Sequence, residues 1–267
     1  FSMLLNPYLL KDASFQSLQT KTAIAYAGNK EPKAARRRRF FPTLTGNIGF
    51  VSKIIRWLTN VGMYPKVKLI ESALKSQHDN TNDKGKGYTG LSYKIWNGGL
   101  GKLKRYGSAI EFCFPTEEVP AVLDKLMVIL EEKGKEGKGY FLNAPVSLRF
   151  ARPSKAYLAP NYHLGTDGNE VKEWCYIEVI RVNSTNEDDD KRELELFQYL
   201  QEVLDEEGGR PHWGLNFEFD FTIQKLHDLY PNFYKWHQTY LNFNHTKVFS
   251  NEFSRRAGLD LGLMAME

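Results

Sequence analysis

Ser147 and Arg149 lie two residues apart in the alternating run Val146 to Phe150. Val146, Leu148 and Phe150 take one face of a strand, so Ser147 and Arg149 share the other. A guanidinium and a hydroxyl side by side can bind a polar ligand or serve a structural ion pair. His212 follows the Gly-Gly-Arg-Pro run at 208–211 and is joined to Trp213, where the chain re-enters an extended segment. Arg36, Arg37, Arg38 and Arg39 form an unbroken cationic run inside Lys30 to Arg39. That run suits an acidic protein partner or an anionic membrane surface, or else a solvated loop. Nucleic acid is not an expected partner, because no RNA- or DNA-binding motif accompanies the arginines. The six histidines show no metal-ligand spacing, and there is neither a G-x-S-x-G elbow nor a P-loop. Cys113 and Cys175 sit far apart in apolar contexts and read as buried reduced thiols, which favours a reducing compartment.

These groups need a scaffold, and 267 residues suffice for one with a substantial core. With 42% hydrophobic and 25% charged residues the composition is that of an ordinary globular chain, and no apolar run is long enough to span a bilayer. Two short strands are expected at Ser2 to Leu5 and Thr22 to Tyr26, then helices near Ile48 to Leu58 and Lys66 to Gln77. Residues 78–90 read as a polar, glycine-rich loop, and the GGLG in Asn97 to Gly107 lacks the frame of a dinucleotide fingerprint. From Ile110 the pattern is more regular. A strand to Phe114 leads to a helix capped by Thr116 with Glu117 and Glu118 at its positive end, ending in Gly134 to Gly139. Then come a strand at Val146 to Phe150, an extended piece at Tyr157 to Pro160 and a strand at Trp174 to Val182. An acidic lead, Asn186 to Asp190, opens a helix with Leu196, Leu200 and Val203 on one face, closed by Gly208-Gly209. Closing helices are expected at Thr222 to Leu229 behind Asp220 as cap, at Asn232 to Leu241, and after Asn251. The order strand, helix, strand, strand, helix, strand predicts an α+β fold. Its core is a ferredoxin-like split β-α-β arrangement, an antiparallel sheet with helices on one face. The other face must be covered or open onto a site.

Several passages resemble one family. The segment Gly208-Gly209-Arg210-Pro211-His212-Trp213-Gly214, then Leu229-Tyr230-Pro231 and Phe249-Ser250-Asn251-Glu252-Phe253, is similar to the C-terminal signature of the aldonolactone oxidases and dehydrogenases. Gulono-, galactono- and arabinono-lactone enzymes belong there, with alditol oxidases nearby. Pro145 to Phe150 resembles the family's P-[VI]-E-x-R strand, Leu158-Ala159-Pro160 its L-S-P turn, and Tyr176-Ile177-Glu178-Val179 the strand after it. Gly49 through Pro65 resembles its helical insertion, and Asn6-Pro7-Tyr8 its entry. The likeness implies one cap, or substrate, domain over 1–267, with 1–108 divergent and 109–267 the better-matched core.

The resemblance also implies a division of labour. In the family an FAD-binding domain carries the redox chemistry, and the cap completes the substrate site. Arg149 then stabilises negative charge on substrate or reduced flavin, and His212 touches one of them, while Trp213 packs under the sheet. No passage matches a flavin-binding sequence, so FAD has to come from an upstream segment or a separate chain. Two positions depart from the family: Ser147 replaces its glutamate and Leu215 its lysine. Those departures favour a catalytically degenerate domain, retained as a structural subunit of a larger, mitochondrial assembly. The start at Phe1-Ser2-Met3 accords with presequence removal. The alternative is the substrate domain of a working FAD-dependent sugar-lactone oxidoreductase.

Overall fold

The computed structural model describes residues 2–5, 23–26, 107–135, 141–142, 144–163, 171, 173–182, 187–215 and 221–260. The helices expected at 48–58 and 66–77, the loop at 78–90 and the basic run at 36–39 lie outside them. Eight residues near the start form two strands, β1 (Ser2–Leu5) and β2 (Ala23–Tyr26). The main body follows as β3 (Gly107–Pro115), α1 (Val119–Lys135), β4 (Val146–Ala151), β5 (Trp174–Val182), α2 (Glu187–Glu206) and β6 (Arg210–Pro211). The strands form one six-stranded sheet in the order β2-β1-β4-β5-β3-β6, and all neighbours pair antiparallel. Within it β4-β5-β3-β6 is the ferredoxin-like set, and the β1–β2 hairpin extends its β4 edge.

Alternation decides which face receives the helices. Ile110, Phe112 and Phe114 of β3, Val146 and Leu148 of β4, and Cys175, Ile177 and Val179 of β5 all point into one core. Against them α1 lays Val119, Val122, Leu123, Leu126, Ile129 and Leu130, and α2 lays Leu196, Phe197, Leu200, Val203 and Leu204. Those positions recur at helical spacing, so each helix presents one apolar stripe. Each fully buried aliphatic or aromatic side chain contributes about 1.5–3 kcal/mol.

The helix ends show where local chemistry departs from expectation. α1 begins at Val119, three residues past Thr116, whose Oγ1 is buried without a hydrogen-bond partner. Residues 116–118 form a turn instead, in which the Thr116 carbonyl receives the Val119 N–H. α2 opens on Glu187, Asp188, Asp189 and Asp190, which complement its positive end. It closes in a Schellman motif, with Gly209 N–H donating to Leu204 O and Gly208 N–H to Asp205 O. Gly208 sits at φ +79°, where a Cβ is strained. A Cβ on Gly209 would come within 2.4 Å of the Phe114 ring and 2.6 Å of the Leu204 carbonyl, so α2 can meet β3 only through glycine.

Residues 157–160 are a turn rather than an extended piece, closed by Ala159 N–H on Ala156 O. Beyond the sheet come α3 (Ile223–Leu229), α4 (Phe233–Phe243) and α5 (Glu252–Arg256). The α3 cap is Thr222, whose hydroxyl accepts the Lys225 N–H at 3.1 Å, and not Asp220, which lies outside the described residues. Phe221, Ile223, Leu226, Tyr230, Phe233, Ala257 and Leu259 form a second core. Trp213 belongs to it, 5.4 Å from the Phe221 ring and 5.7 Å from Tyr230, and so does not lie under the sheet. Its indole N–H donates to Leu158 O at 2.9 Å, which draws it off the sheet and onto the turn.

Asp260 ties the last helices together. Its carboxylate accepts the Tyr240 hydroxyl at 2.6 Å, Ser250 at 2.9 Å and Ser254 at 2.6 Å. Burial alone would raise its pKa, but the Ser254, Tyr240 and Ser250 hydroxyls outweigh burial and hold it below the ordinary 3.8. The stabilisation is therefore complete above pH 3.8 and lost as pH falls through the lower folded value. Asp260→Asn should cost about 1–2 kcal/mol at neutral pH, since hydrogen bonds to a charged group are replaced by weaker ones. In urea denaturation the gap to wild type should close below about pH 4; an undiminished gap would refute the assignment.

Candidate functional site

On the face opposite the α1–α2 layer, the strand register lines polar side chains into two rungs. The first runs Ser147, Glu178, Glu111, since Ser147 pairs with Glu178 and Glu178 with Glu111. His212 extends it, its backbone N–H donating to the Glu111 carbonyl at 2.8 Å. The second runs Arg149, Tyr176, Cys113, Arg210. Those on β3, β4 and β5 alternate with core residues of the same strand, so the pattern that buries Ile110 and Phe112 places Glu111 here.

The two rungs are cross-linked. Arg149 donates through Nη2 to Glu111 Oε2 at 2.7 Å, and its guanidinium lies 4.5 Å from the centre of the Tyr176 ring. The Arg149 side chain is 50% exposed whereas Glu111 is 6% exposed. The cation therefore presents donors to an incoming ligand while its counter-charge stays buried beneath it. The imidazole of His212 meets Tyr176 edge-on at 6.3 Å between centroids, with Nε2 3.9 Å from Glu111 Oε2.

Electrostatics divide the groups. Burial raises the Glu111 pKa, opposed by the charge and hydrogen bond of Arg149. Glu178 is raised by burial and by the Glu111 charge, opposed by the Ser147 hydroxyl, Arg149 and His212. Burial lowers His212, and the Arg149 cation lowers it further. A lowered value leaves the imidazole neutral at pH 7, so its approach to Glu111 is not an ion pair there. Its Nδ1 accepts the Gly214 N–H at 3.2 Å, which assigns the proton of the neutral ring to Nε2, on the Glu111 side.

The segment that carries His212 is held on both sides. Arg210 donates to Tyr162 O at 2.8 Å and Pro160 O at 3.3 Å while stacking over Trp174 at 4.8 Å. Trp213 bonds Leu158 of the same turn, and the Leu215 N–H closes on the His212 carbonyl at 3.1 Å. Tyr162 is bonded in turn by Asn232. The Leu-Ala-Pro turn and the Gly-Arg-Pro-His-Trp segment are thus two halves of one clamp.

Of the residues singled out in the sequence, Arg149, His212 and Ser147 come together on this face, and Leu215 lies in the turn just beyond it. Arg36 to Arg39 lie outside the described residues. Glu111 and Glu178 were missed as site residues. The available signal was a lone carboxylate inside each apolar strand, Ile110-Glu111-Phe112 and Ile177-Glu178-Val179. Cys113 and Cys175 are both buried and unpaired, but they occupy opposite faces. Burial pushes the Cys175 thiol up to about 12, so it stays neutral. Among the described residues no three His, Cys, Asp or Glu side chains are grouped to hold a metal.

The cluster can act as a polar recognition surface, with carboxyl acceptors and a guanidinium and an imidazole N–H as donors, Arg149 being held in place over the buried Tyr176 ring. Arg149→Met should raise the His212 pKa, because one cause of its depression is removed while burial remains. Imidazole titration by NMR reads this directly; an unmoved value would separate the two groups electrostatically.

The family model described as D-arabinono-1,4-lactone oxidase matches residues 19–257, from before β2 to the end of α5. Similarity also extends to the L-gulono-1,4-lactone dehydrogenase of Mycobacterium tuberculosis, in strains CDC 1551 / Oshkosh and ATCC 25618 / H37Rv, each 22% identical over 147 residues. That stretch is 55% of this chain and 29% of each relative, so the match covers less than a third of the length of these curated relatives. With the family model covering most of its residues, the chain belongs to the D-arabinono-1,4-lactone oxidase family.

Proposed function

We propose that this chain is the substrate domain of a flavin-linked sugar-lactone oxidoreductase, and that the Glu111–Arg149–Tyr176 cluster is its wall of the lactone site. The observation that carries this reading is the arrangement of Arg149. Its guanidinium is half exposed, seated on an aromatic ring and backed by a buried carboxylate, on the sheet face that the α1–α2 layer leaves uncovered. A cation kept only for internal stability gains little from such exposure. The L-gulono-1,4-lactone dehydrogenase relatives supply the substrate class, a ring-closed polyol ester.

The residues fit a flavin placed across the substrate from them. Arg149 would face negative charge developing on the ring, and neutral His212 would offer its Nε2 proton. A flavin, when bound, supplies the hydride acceptor. The residues of this chain bind the lactone, orient it and keep water from the face under Tyr176 and Glu111.

A second reading has its own observation. Leu215 stands where the family resemblance places a lysine, and an aliphatic side chain donates no hydrogen bond and carries no charge. On that reading the domain is a structural subunit of a larger assembly, with the basic run at 36–39 as a docking surface and a mitochondrial location.

The visible absorbance of the protein purified from its native source, partners attached, separates the two. Flavin bands that bleach on adding L-gulono- or D-arabinono-1,4-lactone are the expected result. A flavin-free spectrum from an intact stoichiometric assembly would establish the structural reading instead. Arg149→Ala should weaken the lactone response about tenfold to a hundredfold, the worth of a charge-assisted hydrogen bond; a response unchanged in midpoint would remove Arg149 from the site.

A further inference from the structure

Resting on the reading of this face as a sugar-lactone site, we propose that Glu178 is the residue that hydrogen-bonds a substrate hydroxyl, with Ser147 as its positioning residue. The two carboxylates of the first rung are chemically distinct despite being cross-strand neighbours. Glu111 is 6% exposed, and one of its oxygens is already engaged by Arg149 at 2.7 Å. Glu178 is less buried than Glu111. Its partner is neutral, the hydroxyl of Ser147 directly across the β4–β5 pair. A single hydroxyl donor occupies one of the roughly four lone-pair positions of a carboxylate and leaves the others to a ligand.

Position completes the argument. Ser147 and Arg149 are two apart on β4, and Glu178 and Tyr176 are two apart on β5 opposite them, so the four form the corners of one cross-strand plaquette. Direct neighbours across a sheet are about 5 Å apart and same-face residues on one strand about 7 Å. Two adjacent ring hydroxyls fit that frame, one donating to Glu178 and the next accepting from Arg149. Burial and the Glu111 charge together make an unsolvated, ionised Glu178 costly, so a hydroxyl donor is a favourable partner for it. The arrangement selects an uncharged polyol ring with neighbouring hydroxyls. It disfavours a carboxylate ligand, because Arg149 is already neutralised by Glu111 and a second carboxylate stands beside it.

Calorimetric titration of L-gulono-1,4-lactone into the full chain, with the partners that co-purify, tests this. Glu178→Ala should weaken binding about tenfold to a hundredfold, and Ser147→Ala, which frees Glu178 without removing it, by about threefold to tenfold. The exchange variant Ser147→Glu with Glu178→Ser keeps the carboxyl on the same rung with the hydroxyl opposite. It should bind within about threefold of wild type. Circular dichroism melting of each variant confirms the fold. Glu178→Ala binding the lactone as wild type does, or an exchange variant no better than Glu178→Ser alone, overturns the assignment while the lactone-site reading stands. Failure of the wild-type protein to bind the lactone overturns both.

Discussion

Antiparallel register across β3, β5 and β4 is the constraint on which the molecule depends. Pairing Glu111 with Glu178 and Glu178 with Ser147 makes the polar groups one contiguous surface. The same register puts Phe112, Ile177 and Leu148 side by side under the helices. A slip of one residue in any pair would exchange the faces, sinking Glu111 and Glu178 into an aliphatic core and exposing aromatic rings. Recognition and stability are therefore not separable properties of these strands, because the alternation that secures one delivers the other.

Around that sheet the remaining elements act as supports. The clamp between the turn at 158–162 and the segment 210–213 holds His212 from both sides, by Arg210 on backbone carbonyls and by Trp213 in the second core. The α3–α5 helices close on Asp260 and on Trp213, so their packing bears on the site through one short stretch of chain. The buried Glu111 carboxylate, held by Arg149 and lying beside Glu178, adds to the burial that raises Glu178 and Tyr176.

Much of this was legible in the chain. The order of strands and helices follows from hydrophobic periodicity, because the elements between Ile110 and Leu204 each turn an apolar face into one shared core. The family passages also marked Arg149 and His212. What escaped reading was anything set by pairing between distant segments. Ser147 in place of a glutamate looks like a lost carboxylate along β4, yet across the sheet its neighbour is Glu178, some thirty positions away in the chain. Nothing local in Ile177-Glu178-Val179 announces that proximity. The misplaced caps have a similar origin. Thr116 and Asp220 have the right chemistry, but the chain turns once more before α1, and Thr222 lies nearer to α3. Trp213 was read as sheet packing because the source of its hydrogen-bond acceptor, the turn at 158, could not be known from its neighbours.

The outermost pairing carries a kinetic consequence. β1 joins β4 with Ser2 opposite Arg149, closing more than half of the chain into a single loop, whereas β3, β4 and β5 pair across much shorter spans. Closure entropy grows with span, so the ferredoxin-like core should assemble before the N-terminal hairpin arrives. Until it does, β4 is a bare edge with unpaired amide and carbonyl groups, open to pairing with another nascent chain. The strand that bears Ser147 and Arg149 is thus the last to be enclosed, and correct maturation of the ligand face waits on β1, a strand far from it in the chain.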